Sequence, residues 1–241
     1  MLTWVVVILG SAMAGVLQTV TGFGSVVLMM MIFPFFFSII DSPSLALSIN
    51  MLYCLVLCIK YRRDIDWHVT TPPTVIYAVV SFAITAMVGN ADLHVLIIIF
   101  AIFLMVLSVY FLLVANKVKA APKPVVGVGC GALAGVTAGL FALGGPAIAP
   151  YFIAATKDHR SYVASMQFMF TVTNIVNISG RMINGIFNWS LWPFIAVGSV
   201  FILGGMLLGE YVSEKINPAR LRLIVYAFVG ISGLVLLLQQ L

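Results

Sequence analysis

The sequence predicts an all-α polytopic membrane protein made of two inverted repeats. Each repeat has about five helical elements and opens with a broken or re-entrant helical hairpin. Three observations predict this. The 241 residues are 63% hydrophobic and 8% charged, and charge that sparse cannot solvate a globular surface. Short polar loops that hold nearly all the basic residues separate the long apolar runs. Glycine-centred breaks interrupt two of those runs at a constant spacing.

The first apolar block covers residues 2–40 and breaks at Thr21-Gly22-Phe23-Gly24-Ser25. Its opening decapeptide has no basic n-region and no clear cleavage site, so it reads as a retained span. Ser42 as N-cap and Pro43 at the first helical position predict a helix reaching Lys60. After the basic segment 60–71, Thr71 followed by Pro72-Pro73 predicts the next helix, ending near Gly89. A polar turn at residues 90–92 leads to the cleanest span, 93–115, long enough at about 1.5 Å per residue to cross a bilayer.

A basic linker at 116–124 divides the chain. The second block, 125–156, breaks at Gly144-Gly145-Pro146. Lys157 to Arg160 close it, and a helix is predicted from Ser161 to Arg181. A further helix spans 189–209, and Asn217-Pro218 reads as N-cap and first position of the last one. The predicted organisation is a first repeat at 1–118, a cytoplasmic linker at 119–123 and a second, inverted repeat at 124–241, together one transmembrane domain.

At an offset of 120, Ala14-Gly15-Val16 falls on Ala134-Gly135-Val136 and Gly24 on Gly144. Asn50 and Gln167 lie at matching points of the next helices, and the later elements follow in the same order. Five elements per half is an odd number, so the halves should be inverted. Basic residues test this independently. With Lys60, Arg62 and Arg63 in the cytoplasm, Lys117, Lys119, Lys123, Lys157, Arg160, Lys215, Arg220 and Arg222 also fall there, and both termini fall outside. The formal charge of +5 is therefore an orientation signal and does not suggest nucleic acid.

The arm after Gly145 is only about 16 Å long as a helix, half a bilayer, which favours a re-entrant hairpin over two full crossings. In inverted halves the two tips should meet near the midplane, the usual layout of a secondary transporter site. Each second arm then points free N–H groups and its positive dipole end into a cavity, and glycine lets an anion approach the backbone. The predicted substrate-binding set is Gln18, Thr21, Gly22, Gly24 and Ser25 at the first tip, Gly144, Gly145 and Pro146 at the second, Asn50 opposite, and Gln167, Thr171 and Asn174 on one helix face at i, i+4 and i+7. This is a neutral, donor-rich pocket suited to a small oxyanion. The competing reading of the glycines is close helix packing, and of Asn50 and Gln167 interhelical hydrogen bonding.

Arg181 stands apart from the other basic residues. It reads either as snorkelling to the outer interface or as a cationic attractor at an outer vestibule. Cys54, Cys58 and Cys130 read as small packing residues, since no other ligand type joins them. His68, His94 and His159 fall in or near loops, so no buried proton relay is visible. Ser25 has no histidine in any apolar segment to activate it, and no nucleotide or zinc motif appears. The chain reads as a non-enzyme without cofactor or metal.

The motifs at residues 14–28 (AGVLQTVTGFGSVVL) and 134–152 (AGVTAGLFALGGPAIAPYF), with RSYVASMQF at 160–168, resemble the TauE/SafE family of sulfite and organosulfonate exporters, also called the 4-toluene sulfonate uptake permease family. The length, the internal repeat and the basic loops fit as well. The first motif has Thr21-Gly22-Phe23-Gly24 where the family more often has adjacent glycines. The resemblance implies a secondary carrier of exporter type in the bacterial inner membrane, with sulfite or organosulfonates as substrates and the lipid bilayer as its surroundings. A carrier of another small carboxylate or oxyanion, and a non-transporting subunit of a membrane assembly, are the alternatives.

Overall fold

The computed structural model describes residues 1–89, 91–114, 123–212 and 218–239. Among them the chain forms ten α-helices and no strand. These are α1 Leu2–Thr21, α2 Ser25–Ile32, α3 Asp41–Lys60, α4 Trp67–Val88, α5 Leu93–Val109, α6 Pro124–Phe141, α7 Gly145–Ala155, α8 His159–Ile183, α9 Trp192–Val212 and α10 Pro218–Leu238. Six helical stretches are long and apolar enough to cross a membrane. Large apolar side chains such as Leu9, Met13, Val79, Phe201, Leu207 and Phe228 point outward. The helix with the most polar stripe, α8, buries Gln167, Thr171, Asn174, Asn177 and Arg181 inside the bundle. Apolar outside with polar groups within reverses the soluble pattern. The chain is a multi-pass membrane protein.

Several helix starts differ from the sequence reading. α3 begins at Asp41, because Ser38 Oγ accepts from Asp41 N at 3.0 Å and so caps the turn ahead of Ser42. α4 begins at Trp67 and not at Thr71: Asp66 accepts from Val69 N, and Pro72 and Pro73 lie inside the helix. Two missing N–H groups there cost two ladder bonds, a loss that the packing of α4 on α6 tolerates. α8 begins at His159, capped by Asp158, whose carboxylate accepts from Ser161 N at 2.8 Å. A 3-10 turn, Trp189–Leu191, precedes α9. The predicted cap at Asn217, the turn residue Asn90, the basic residues Lys117, Lys119 and Lys215, and the linker 119–123 apart from Lys123 lie outside the described residues.

Two helix pairs dominate the packing, α1 on α9 and α4 on α6. Glycine makes both possible by removing the Cβ at the contact. On α6, Gly131, Gly135 and Gly139 recur every fourth residue, and a Cβ on Gly131 would come within 2.6 Å of the Pro73 carbonyl oxygen. On the other pair, a Cβ on Gly205 would come within 2.0 Å of the Ala12 carbonyl oxygen. For these glycines the packing reading is the correct one. Further contacts join α3 to α8, α5 to α10, α4 to α8 and α3 to α9. Exchanging the first five helices for the last five returns this same set of pairs.

Each hairpin joins a long arm to a short one. α1 has 20 residues and α2 has 8; α6 has 18 and α7 has 11. The long arms are about 27–30 Å long and the short arms about 12–17 Å.

Candidate functional site

The first tip turns on two glycines in left-handed backbone, Gly22 at φ 82° and Gly24 at φ 107°. Gly22 N closes α1 on Gln18 O at 2.8 Å. Thr21 Oγ1 donates to Leu17 O and lies against Phe23 O, so its hydroxyl is spent on the turn itself. α2 starts at once, with Leu28 N bonded to Gly24 O at 3.0 Å. The N–H groups of Ser25, Val26 and Val27 therefore precede the helical ladder, and no side chain caps them.

The second tip is built differently. Its left-handed residue is Ala142, at φ 64°, while Gly144 is right-handed. The break expected at Gly144-Gly145-Pro146 is found at residues 142–144, between the end of α6 and the start of α7. Thr137 Oγ1 donates to Leu143 O at 3.1 Å and holds the turn. Gly144 is required by space: a Cβ there would sit 2.1 Å from Tyr77 Oη. α7 also has no side-chain cap.

The tips meet. A Cβ on Gly145 would lie 3.5 Å from Phe23 of the first tip and 3.3 Å from Phe170 of α8. Between them is a small cavity walled by Gln18, Gly24, Ser25, Asn50, Gly145, Pro146 and Asn174, together with the less polar Tyr77, Leu143, Phe170, Val26, Val27 and Ala142. The room for a water-sized sphere's centre is about 20 Å³, enough for a single water. Both short helices present their first residues to this space. No charged side chain lines it among the described residues.

A network of amides and hydroxyls surrounds the cavity. Ser25 Oγ donates to Gln18 Oε1 and lies 2.9 Å from Asn50 Oδ1. Gln18 Nε2 donates to Gln167 Oε1 at 3.0 Å, and Gln167 Nε2 donates to Gly22 O at 3.0 Å. The chain of bonds thus ties α1, α2, α3 and α8 to the first tip. Seven predicted residues line the cavity directly: Gln18, Gly24, Ser25, Asn50, Gly145, Pro146 and Asn174. Five do not. Gln167 and Gly22 stand behind Gln18, Thr21 serves the turn, and Gly144 faces Tyr77. Thr171 Oγ1 bonds back to Gln167 O at 2.7 Å.

Sequence reasoning missed Tyr77 and Phe170, and its reading of Cys54 as a buried packing residue left out the polar groups around the sulfur. Cys54 is fully buried, but polar groups surround its sulfur: Asn50 Nδ2 at 3.2 Å, Gln18 Nε2 at 3.6 Å and Asn174 Nδ2 at 4.0 Å. Its spacing of four from Asn50 was a usable signal, since it puts both on one face of α3. Arg181 is also corrected. It does not snorkel: its side chain is fully buried, with Nη1 donating to Ile40 O at 3.1 Å.

A second, larger cleft of about 400 Å³ opens beyond the first tip, lined by Thr21, Thr156, Lys157, Asp158, His159 and Tyr162. Thr21 lines this cleft and Gly24 lines the tip cavity, and Tyr162 packs against the turn that joins them. Its hydroxyl approaches Thr21 O at 3.5 Å, and its ring occupies the space beside Gly22.

A family model described as sulfite exporter TauE/SafE matches residues 7–236. The chain belongs to the TauE/SafE family. The match takes in both hairpins and every helix that walls the cavity, and the TauE/SafE family is one of membrane transporters of the sulfite-exporter type. No curated relative and no solved structure matches it.

Proposed function

We propose that this TauE/SafE chain is a secondary carrier that exports a small sulfur-containing oxyanion, sulfite or a small organosulfonate, across the bacterial inner membrane. The observation that carries this reading is the cavity between the tips, where two uncapped helix N-termini converge among neutral amides and a hydroxyl. Such a site offers donors and a positive field without a fixed cation, so an anion can be held and still leave. Gln18, Gly24, Ser25, Asn50, Gly145, Pro146 and Asn174 are the proposed contacts. Thr21, Gly22, Gly144, Gln167 and Thr171 support them from behind.

The cavity is smaller than sulfite, so binding requires the tips to part. We read the halves 1–118 and 124–241 as inverted repeats, with residues 119–123 as a cytoplasmic linker and both termini outside. The exchange-related helix pairs support this, as does the gathering of Lys60, Lys157 and Arg160 at one end. Rocking of one half against the other would then open the tip cavity alternately to the cleft beyond Thr21 and to the opposite face.

The test is flux from proteoliposomes carrying purified protein, with sulfite, sulfate, sulfoacetate, taurine and simple carboxylates compared. We expect sulfite or a sulfonate to move and carboxylates to lag. Preference for a carboxylate would reassign the substrate, and absence of flux with every anion would favour a non-transporting subunit. Gly145→Leu should abolish flux and leave the protein monodisperse, because the added side chain must enter the tip contact against Phe23 and Phe170.

A further inference from the structure

Arg181 is the only charged side chain in the buried set among the described residues. Its Nη1 has partners, the Ile40 carbonyl at 3.1 Å and Ser44 Oγ at 3.4 Å. Its Nε and Nη2 are buried without a hydrogen-bond partner among the described residues. These two nitrogens form one edge of the guanidinium fork, the edge that grips two oxygens of a planar or pyramidal oxyanion at once. Among the described residues no carboxylate pairs with it. Asp41 is the acid whose field reaches it, but the Asp41 carboxylate lies 3.5 Å from Asn188 Nδ2 instead. A buried cation with an open bidentate edge is costly unless an anion meets it.

The position of Arg181 matters as much as its chemistry. It lies seven residues beyond Asn174 on α8, so the two share a face about 10 Å apart. Gln167, Thr171 and Asn174 already run along that face to the tip cavity. At the far end, Arg181 sits under the Ile40–Asp41 loop, opposite the end that holds Lys60 and Lys157.

We infer that the Nε–Nη2 edge of Arg181 is a second binding site for the transported oxyanion, one α8 stripe away from the tip cavity and on the side where the anion leaves. This rests on the reading of the tip cavity as the substrate site. The two sites are used in sequence: the tips hold the anion by backbone donors, and Arg181 takes it as the tips part, drawing it along α8 toward the outer face. Release follows when water reaches the same edge.

Selenite is a close analogue of sulfite, and its selenium scatters anomalously. Crystals of the wild-type protein soaked in selenite should show one anomalous peak against Arg181 Nε and Nη2 and another between the tips. In proteoliposomes, Arg181→Met should raise the half-saturating sulfite concentration about ten-fold or more, as expected for loss of charge-assisted bonds. Arg181→Lys should recover part of that loss, and Asp41→Asn should leave half-saturation at the wild-type value. A tip peak alone, or the Asp41 carboxylate seated on the Arg181 edge, would overturn the second site and leave the tip reading standing. A peak at Arg181 with wild-type protein that moves no sulfite would overturn the tip reading, and the sequential use with it. If Arg181→Met fails to fold, the wild-type selenite peaks decide alone.

Discussion

The two hairpin tips have the same outline and opposite chemistry. Both follow a long helix, both turn through left-handed backbone, and both start a short uncapped helix at the cavity. The first tip is polar: Gln18 and Ser25 belong to a hydrogen-bonded chain that reaches Asn50 and Gln167. The second is apolar and tight, with Gly144 against Tyr77 and Gly145 against Phe170. The difference teaches that a two-fold arrangement of backbone can carry an asymmetric site. Backbone donors come from both halves, whereas the polar side chains that the tips' own residues turn into the cavity, Gln18 and Ser25, come from the first half. The second tip is a close-fitting wall on its side of the cavity.

The largest way to break this comparison is at Gly144. A Cβ there overlaps Tyr77 Oη at 2.1 Å, so Gly144→Leu should destabilise the protein by roughly 3 kcal/mol or more, seen as a lower Tm and lost flux. Tyr77→Ala should recover part of the Tm in the double variant, because it removes the clashing ring. An unchanged Tm in Gly144→Leu would refute the tight wall.

Smaller effects should separate the tips by chemistry. Ser25→Ala removes the hydroxyl that joins Gln18 to Asn50 and faces the cavity. It should raise the sulfite KM about ten-fold, the equivalent of about 1.4 kcal/mol, with Tm nearly unchanged. A fall in Tm with unaltered KM would make this network structural. The smallest change contrasts the turns themselves. Ala142→Gly relieves left-handed strain and should stabilise by up to about 1 kcal/mol. Gly22→Ala should destabilise, because it adds a Cβ at φ 82° with Tyr162 only 2.5 Å away. Paired thermal melts of the two variants check the opposite signs.

Much of this was legible in the chain. The two breaks, the short arm after Gly145 and the polar stripe of α8 follow from residue types and helical spacing, which are local. The helix starts were less legible. Pro72-Pro73 reads as a beginning because proline suits the first turn, yet α4 starts earlier at Trp67 behind the Asp66 cap. Nothing in the residue types marks the left-handed residue of the second tip, which the structure puts at Ala142, held by the Thr137–Leu143 bond. Arg181 read as an interfacial residue because a charge near a helix end normally reaches water. Only the packing of α8 against α3 encloses it.

By itself, the sequence determined the number of helical elements, where the chain must break, and that the exterior would be apolar. Each of these depends on neighbours a few residues apart. Tertiary structure decided which polar groups meet. Gln18 and Gln167 are 149 residues apart, and their bond depends on how α1 and α8 are rotated and tilted against each other. Glycine contacts such as Gly15 on α9 and Gly205 on α1 fix how α1 seats against its own neighbour α9, and no local spacing encodes such placements.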